Sequence, residues 1–228
     1  MDLAAVKEAP TRSLARGAVA AARNARGLVE DAELLAAAGR PARAYSLAGL
    51  AVEEVGKADC LAALAAMPEN LRARAPVGRM LEWHQLKLVA GQLTASVPFG
   101  APGKASRLVT MPLSEVAEIL DNAQAFAEHM DRLKQRGLYV DVDRSGHIRE
   151  PSEVTAAEVR DQLNRARQSA AAAEALLDPA APLWLADPGP VAVQFSRAMV
   201  SAFGETGPAR SPEAAADVLL NAATKVRG

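Results

Sequence analysis

Residues 41 to 67 read PARAYSLAGLAVEEVGKADCLAALAAM, with Pro41 at the start and Pro68 directly after the end. Proline suits the first turn of a helix, where its missing N–H would be unpaired anyway, and it cannot continue one, so the two prolines bracket a helix. At helical spacing Leu47, Leu50, Ala51, Glu54, Ala58 and Leu61 share a face. This count sets Glu54 in an apolar stripe and turns Glu53 outward. An ionised carboxylate taken out of water costs several kcal/mol unless a cation or hydrogen bonds meet it. Lys57, one turn further on, is the nearest candidate.

Working back from Pro41, a second long helix is expected from Thr11, read as its cap after Pro10, to Ala38, with Gly39 as the stop. So short a link between the two makes them antiparallel neighbours. Downstream, a polar segment with Arg72, Arg74 and Arg79 leads to a helix over 77–96, and a Gly/Pro loop spans 98–112. Ser114 is read as the cap of a further helix ending at Gly137, with Val116, Ile119, Leu120, Ala123, Phe126, Ala127, Met130 and Leu133 at core spacing. The stretch 138–150 alternates apolar and polar residues around a glycine-containing turn, which predicts a small β-hairpin or an extended arm. Thr155 caps a helix reaching Leu177, and further helices follow in the C-terminal part, one through Phe203 and one opened by Ser211-Pro212-Glu213.

Composition agrees with this count. The chain has 228 residues, 50% hydrophobic and 23% charged, enough to bury a core as one domain with an appendage. Long alanine-rich runs favour helices packed on small side chains. The expected fold is therefore all-α: an antiparallel helical bundle over 1–180, with a helical appendage over 181–228 packed on it. A net charge of −1 supplies no general attraction to nucleic acid or to an anionic membrane, so any phosphate binding must come from a local patch. Cys60 is the only cysteine, which excludes an intrachain disulfide and a cysteine-cluster metal site. No signal-peptide core and no long uncharged apolar stretch occurs, and a cytoplasmic protein away from membranes is expected.

The same misfit recurs on two other helices. Ala21, Asn24, Leu28, Asp31 and Leu35 share a face of the first long helix, and Val77, Met80, Leu81, His84, Leu88 and Gly91 share one on the helix after the polar segment, with Lys87 a turn beyond His84. The bland reading is a hydrogen-bonded core histidine and an ion pair that fixes helix register. Six polar groups on three neighbouring stripes exceed what packing needs, and bundle sites are built this way. His129 and His147 read as surface or filling residues. Gly-rich phosphate loops, HExxH patterns and Glu-x-x-His pairs are missing, so neither metal nor cofactor is expected.

Four segments then fall in order: Asn24 to Leu35, Arg43 through Glu53-Glu54-Val55-Gly56-Lys57, His84-Gln85-Leu86-Lys87, and Arg136 to Asp141. Together they resemble the AbiV family of abortive-infection proteins, a branch of the HEPN-like helical domains, over roughly residues 12 to 160. The resemblance implies a helical bundle that dimerises, a place in phage defence, and metal-independent RNA cleavage through an Arg-x4-6-His motif. Arg79 and His84 match that motif. In the implied chemistry His84 is the base, Arg79 or Lys87 the cation, and Glu54 orients His84 or fixes Lys57, with Asn24 and Asp31 as a supporting network. The chain departs from the pattern at Met80, where a polar residue is usual. Residues five apart on a continuous helix also lie about 140° from each other, which ranks Arg79 below the others.

Two further readings stand beside the ribonuclease. In one, the polar network only fixes helix pairing, and the 138–150 arm or the C-terminal helices bind a phage or host protein. In the other, Lys57 and Lys87 hold a small anionic ligand between helices.

Overall fold

Each of the two long helices stops where its local chemistry requires. In the computed structural model, which describes residues 3–72, 81, 84–96, 111–142, 144–151, 154–178 and 181, with isolated positions from 190 to 225, a short α1 (Leu3–Glu8) precedes α2 (Thr11–Ala37) and α3 (Pro41–Ala66). Gly39, at φ 69°, lets the chain reverse: its N–H donates to Ala36 O and that of Arg40 to Leu35 O, which closes the exposed carbonyls of α2. The antiparallel α2–α3 hairpin follows, as expected. Thr11 does not cap α2. Pro10 holds that position, and the Thr11 hydroxyl instead accepts from Arg72 Nη2 at 2.8 Å.

A single turn, α4 (Glu69–Arg72), leads toward α5 (His84–Ser96) and α6 (Leu113–Leu138). The expected start of the helix before His84, the loop over 98–110 and Arg79 lie outside the described residues. Ser114 sits one residue inside α6 rather than capping it. Then β1 (Asp141–Val142) pairs antiparallel with β2 (Ile148–Arg149), in the register Asp141 to Arg149 and Val142 to Ile148. Gly146 takes φ 82° in the connecting turn. Thr155 opens α7 (Ala156–Ala172) with a full capping box: its hydroxyl accepts from the Glu158 N–H, and the Glu158 carboxylate accepts from the Thr155 N–H at 2.7 Å. A 3-10 turn (Glu174–Leu177) completes the bundle. The expected C-terminal helices, and with them the appendage 181–228, lie almost wholly outside the described residues.

The architecture is all-α apart from the two-residue strands, with α3 at its centre. Helices α2, α5, α6 and α7 all pack against α3, so it has no single wet face, and Tyr45, Val52, Val55 and Leu64 are fully buried. The core has two ends. One gathers Leu14, Ala18, Ala22, Cys60, Leu61 and Leu176, and the other gathers Val29, Tyr45, Leu88, Phe126, Met130 and Leu163.

Alanines carry the inner stripe of α2: Ala15, Ala18, Ala22, Ala25 and Ala32 are buried, with Leu14 and Val29. That line is rotated by one residue from the expected one. Asn24 and Asp31 are consequently exposed, and do not face α3. The larger Leu28 and Leu35 drew the sequence count to their side, but both are only half-buried at the edge of the core.

Where α3 meets α5, backbone approaches backbone. A Cβ on Gly56 would run into the Lys87 carbonyl, and one on Gly91 into the carbonyl of Val52. Only glycine at both positions allows the crossing.

Candidate functional site

The glycine crossing decides which carboxylate is buried. Gly49, Val52, Glu53 and Gly56 follow at helical spacing along α3, and the contacts of Val52 and Gly56 with α5 place that line at the crossing. Glu53 is 4% exposed and Glu54 is half-buried. The expectation is thus reversed: Glu53, which the apolar count turned outward, is the inward acid. Glu54 lies toward the rim and pairs with Lys57 at 3.1 Å, as anticipated for that pair. The count failed because a helix surrounded by four others has several apolar lines, and glycine adds nothing to hydropathy.

Two groups of α5 converge on Glu53. His84 Nδ1 lies 2.6 Å from Glu53 Oε2, and Lys87 Nζ lies 3.6 Å from the same oxygen. An ionised carboxylate can only accept, so Nδ1 donates to Glu53, and Nε2 is the ring nitrogen left for proton transfer. Lys87, largely covered, supplies the countercharge for a carboxylate that has left water. His84 does not point into the core as the stripe predicted. It opens α5, and its side chain is 56% exposed. Leu81 and Leu88, on either side of it in the sequence, are buried as expected.

Of the expected site residues, the structure therefore joins His84 and Lys87, through a glutamate that the sequence reading had set aside. It keeps Glu54 and Lys57 as a separate pair, and leaves Asn24 and Asp31 at the surface. Arg79 lies outside the described residues. One signal in the sequence could have pointed to Glu53: Gly56, three residues on and on the same side of α3, marks a face where another backbone comes close.

The arrangement is a half-exposed histidine held in orientation by a buried acid at Nδ1, which leaves Nε2 outside that contact. That is what general acid–base chemistry on a substrate bound at the surface requires. Among the described residues no cluster of three or more His, Cys, Asp or Glu could hold a metal ion. A groove of about 260 Å³ between the α2–α3 turn and α7 is lined by Ala36, Pro41, Val159, Leu163, Arg160 and Arg167. Neither Lys57 nor Lys87 takes part in it.

Comparison with known proteins adds one match. The HEPN_AbiV family model, described as AbiV, matches residues 13–171, which spans α2 through α7. No curated protein and no solved structure matches the chain.

Proposed function

Because the chain belongs to the AbiV family of HEPN proteins, we propose that it acts in abortive infection as an effector that binds and cleaves RNA at His84. The supporting observation is the 2.6 Å contact between the half-exposed imidazole and the buried Glu53. In this reading Nε2 takes the proton of a ribose 2′-hydroxyl as that oxygen attacks the neighbouring phosphorus. The P–O5′ bond breaks and the leaving oxygen takes a proton from water, while the imidazolium later returns its own to solvent, leaving a 2′,3′-cyclic phosphate and a 5′-hydroxyl. Glu53 orients the ring and stabilises its protonated form. Lys87 balances Glu53, so the cation at the phosphate comes from elsewhere, and Arg79, five residues before His84, is the candidate the family motif supplies.

The test is incubation of the purified chain with total RNA, with the ends of the fragments analysed. Wild type yields fragments ending in a cyclic phosphate. His84→Ala lowers the rate on the order of a hundredfold or more, and Glu53→Gln lowers it while the fold is kept. RNA left intact at high protein concentration removes this reading.

A further inference from the structure

We propose that the N-terminal half of α2 carries a phosphate-binding track for RNA, formed by Arg12, Arg16 and Arg23. The three follow at intervals of one and two turns, so they fall within about 40° of each other around α2 and span roughly 16 Å along it. All three are exposed, and none pairs with an acid among the described residues. They stand clear of the buried line of Ala15, Ala18, Ala22 and Ala25. Arg26, the next arginine, is already engaged by Glu30 at 3.3 Å and by Glu174 at 3.8 Å.

The helix gains nothing from this placement. From Thr11 through Val29 it holds four arginines and no acid, and its acids, Glu30, Asp31 and Glu33, gather in the C-terminal half. The helix dipole favours the reverse order, with acids at the start and cations at the end. Arg12 and Arg16 are moreover like charges at i and i+4, which repel. Arginines that oppose the stability of their own helix point to a partner outside it. A net charge of −1 leaves phosphate binding to a local patch, and here the patch is exposed. The dipole of α2 and the buried Arg72, bonded to Thr11, add to its field, and Glu8 and Glu69 offset part of it.

The chemistry of this face selects the partner. Every cation of α2 is an arginine, whose planar fork meets a phosphate with two donors. Ser13, Val19, Ala20 and Asn24 stand around the three, small or polar and without an aromatic ring. A helix lying on a membrane needs large apolar side chains here, and a protein interface needs an aromatic or apolar anchor. What the face fits is a contact with phosphates alone, blind to base sequence. This inference rests on the reading of RNA as substrate. Helix α2 packs on α3 and α7, whereas His84 opens α5. The track therefore holds the RNA backbone at a second place and leaves the chemistry to His84.

The test measures binding apart from cutting, with the full chain. A fluorescent RNA of mixed sequence, 2′-O-methylated throughout, lacks the attacking hydroxyl and keeps every phosphate, and its anisotropy gives Kd across a salt series. Arg12→Gln, Arg16→Gln and Arg23→Gln together weaken binding on the order of tenfold or more and reduce the salt slope by about two, with a melting temperature no lower than wild type. Arg40→Gln, Arg43→Gln and Arg160→Gln remove the same charge from exposed arginines near the other end of α2 and leave Kd nearly unchanged. Binding untouched by the first triple, binding weakened equally by both, or a first triple that melts below wild type overturns the proposal. So does capture of the chain by phosphatidylserine vesicles in place of RNA. On unmethylated RNA the first triple raises KM and keeps kcat. Cutting by that triple at the wild-type KM leaves the ribonuclease and removes the track. Methylated RNA held through the three arginines, while unmethylated RNA stays whole, leaves the track and removes the ribonuclease.

Discussion

At the scale of single residues, two buried charges organise this molecule, and each was concealed in the sequence for its own reason. Glu53 adjoins Glu54, and apolar counting favoured the neighbour because Leu50, Ala58 and Leu61 are visible to hydropathy whereas Gly49 and Gly56 are not. His84 and Lys87 were legible, because histidine and lysine on a stripe are conspicuous. Their meeting point was not, since it depends on how two helices cross. Arg72 reads in the sequence as one of three arginines in a polar segment. It is in fact 1% exposed, and its guanidinium donates to Ala9 O at 2.6 Å, Thr11 Oγ1 at 2.8 Å and Met67 O at 3.2 Å. Burial lowers its pKa from the usual arginine range, and nearby Glu69 opposes that shift. The clamp joins the start of α2 to the end of α3, so removing it strands three acceptors, one buried and two partly buried. Arg72→Met, which keeps the stem, should cost roughly 3 kcal/mol as read from the urea midpoint. Arg72→Lys should recover only part, since one ammonium cannot reach all three acceptors. If the methionine variant were as stable as wild type, the clamp would be packing alone.

At the scale of elements, the ends of helices were legible and their crossings were not. Gly39, Pro41 and Thr155 act on the backbone within a few residues, so local reading places the α2–α3 turn and the start of α7. The brief α1 and α4 were not anticipated. Helices of one or two turns have little propensity of their own and form because tertiary contacts hold them. The α3–α5 crossing was hidden for a related reason: a glycine within a helix is a local penalty, and its gain appears only when a second helix is present. This contrast is testable with one substitution made at two places. Gly27, within α2, has nothing near the position a Cβ would take, so Gly27→Ala should stabilise by about 0.5–1 kcal/mol through helix propensity. Gly56→Ala should destabilise by roughly 3 kcal/mol, since the Lys87 carbonyl must retreat. It should also displace Glu53 from His84. Equal effects in thermal melts would show that the crossing is looser than described.

For the whole molecule, the order of helices and the antiparallel hairpin could be read in advance, because loop lengths and prolines constrain them. That α3 lies at the centre, touched by four others, could not, since long-range packing leaves no mark at a fixed spacing. The same central position gives Cys60 a use. It lies at 4% exposure within one of the two hydrophobic ends, on the helix around which the bundle is built. A thiol reagent added to the native protein must wait for the bundle to open before it can react, so labelling should be slower than in denaturant by roughly the folding equilibrium constant, about a thousandfold or more. Gly56→Ala should speed it in proportion to its loss of stability. The chain thus carries its own clock for opening, readable with an ordinary thiol colour reaction and without any engineered residue.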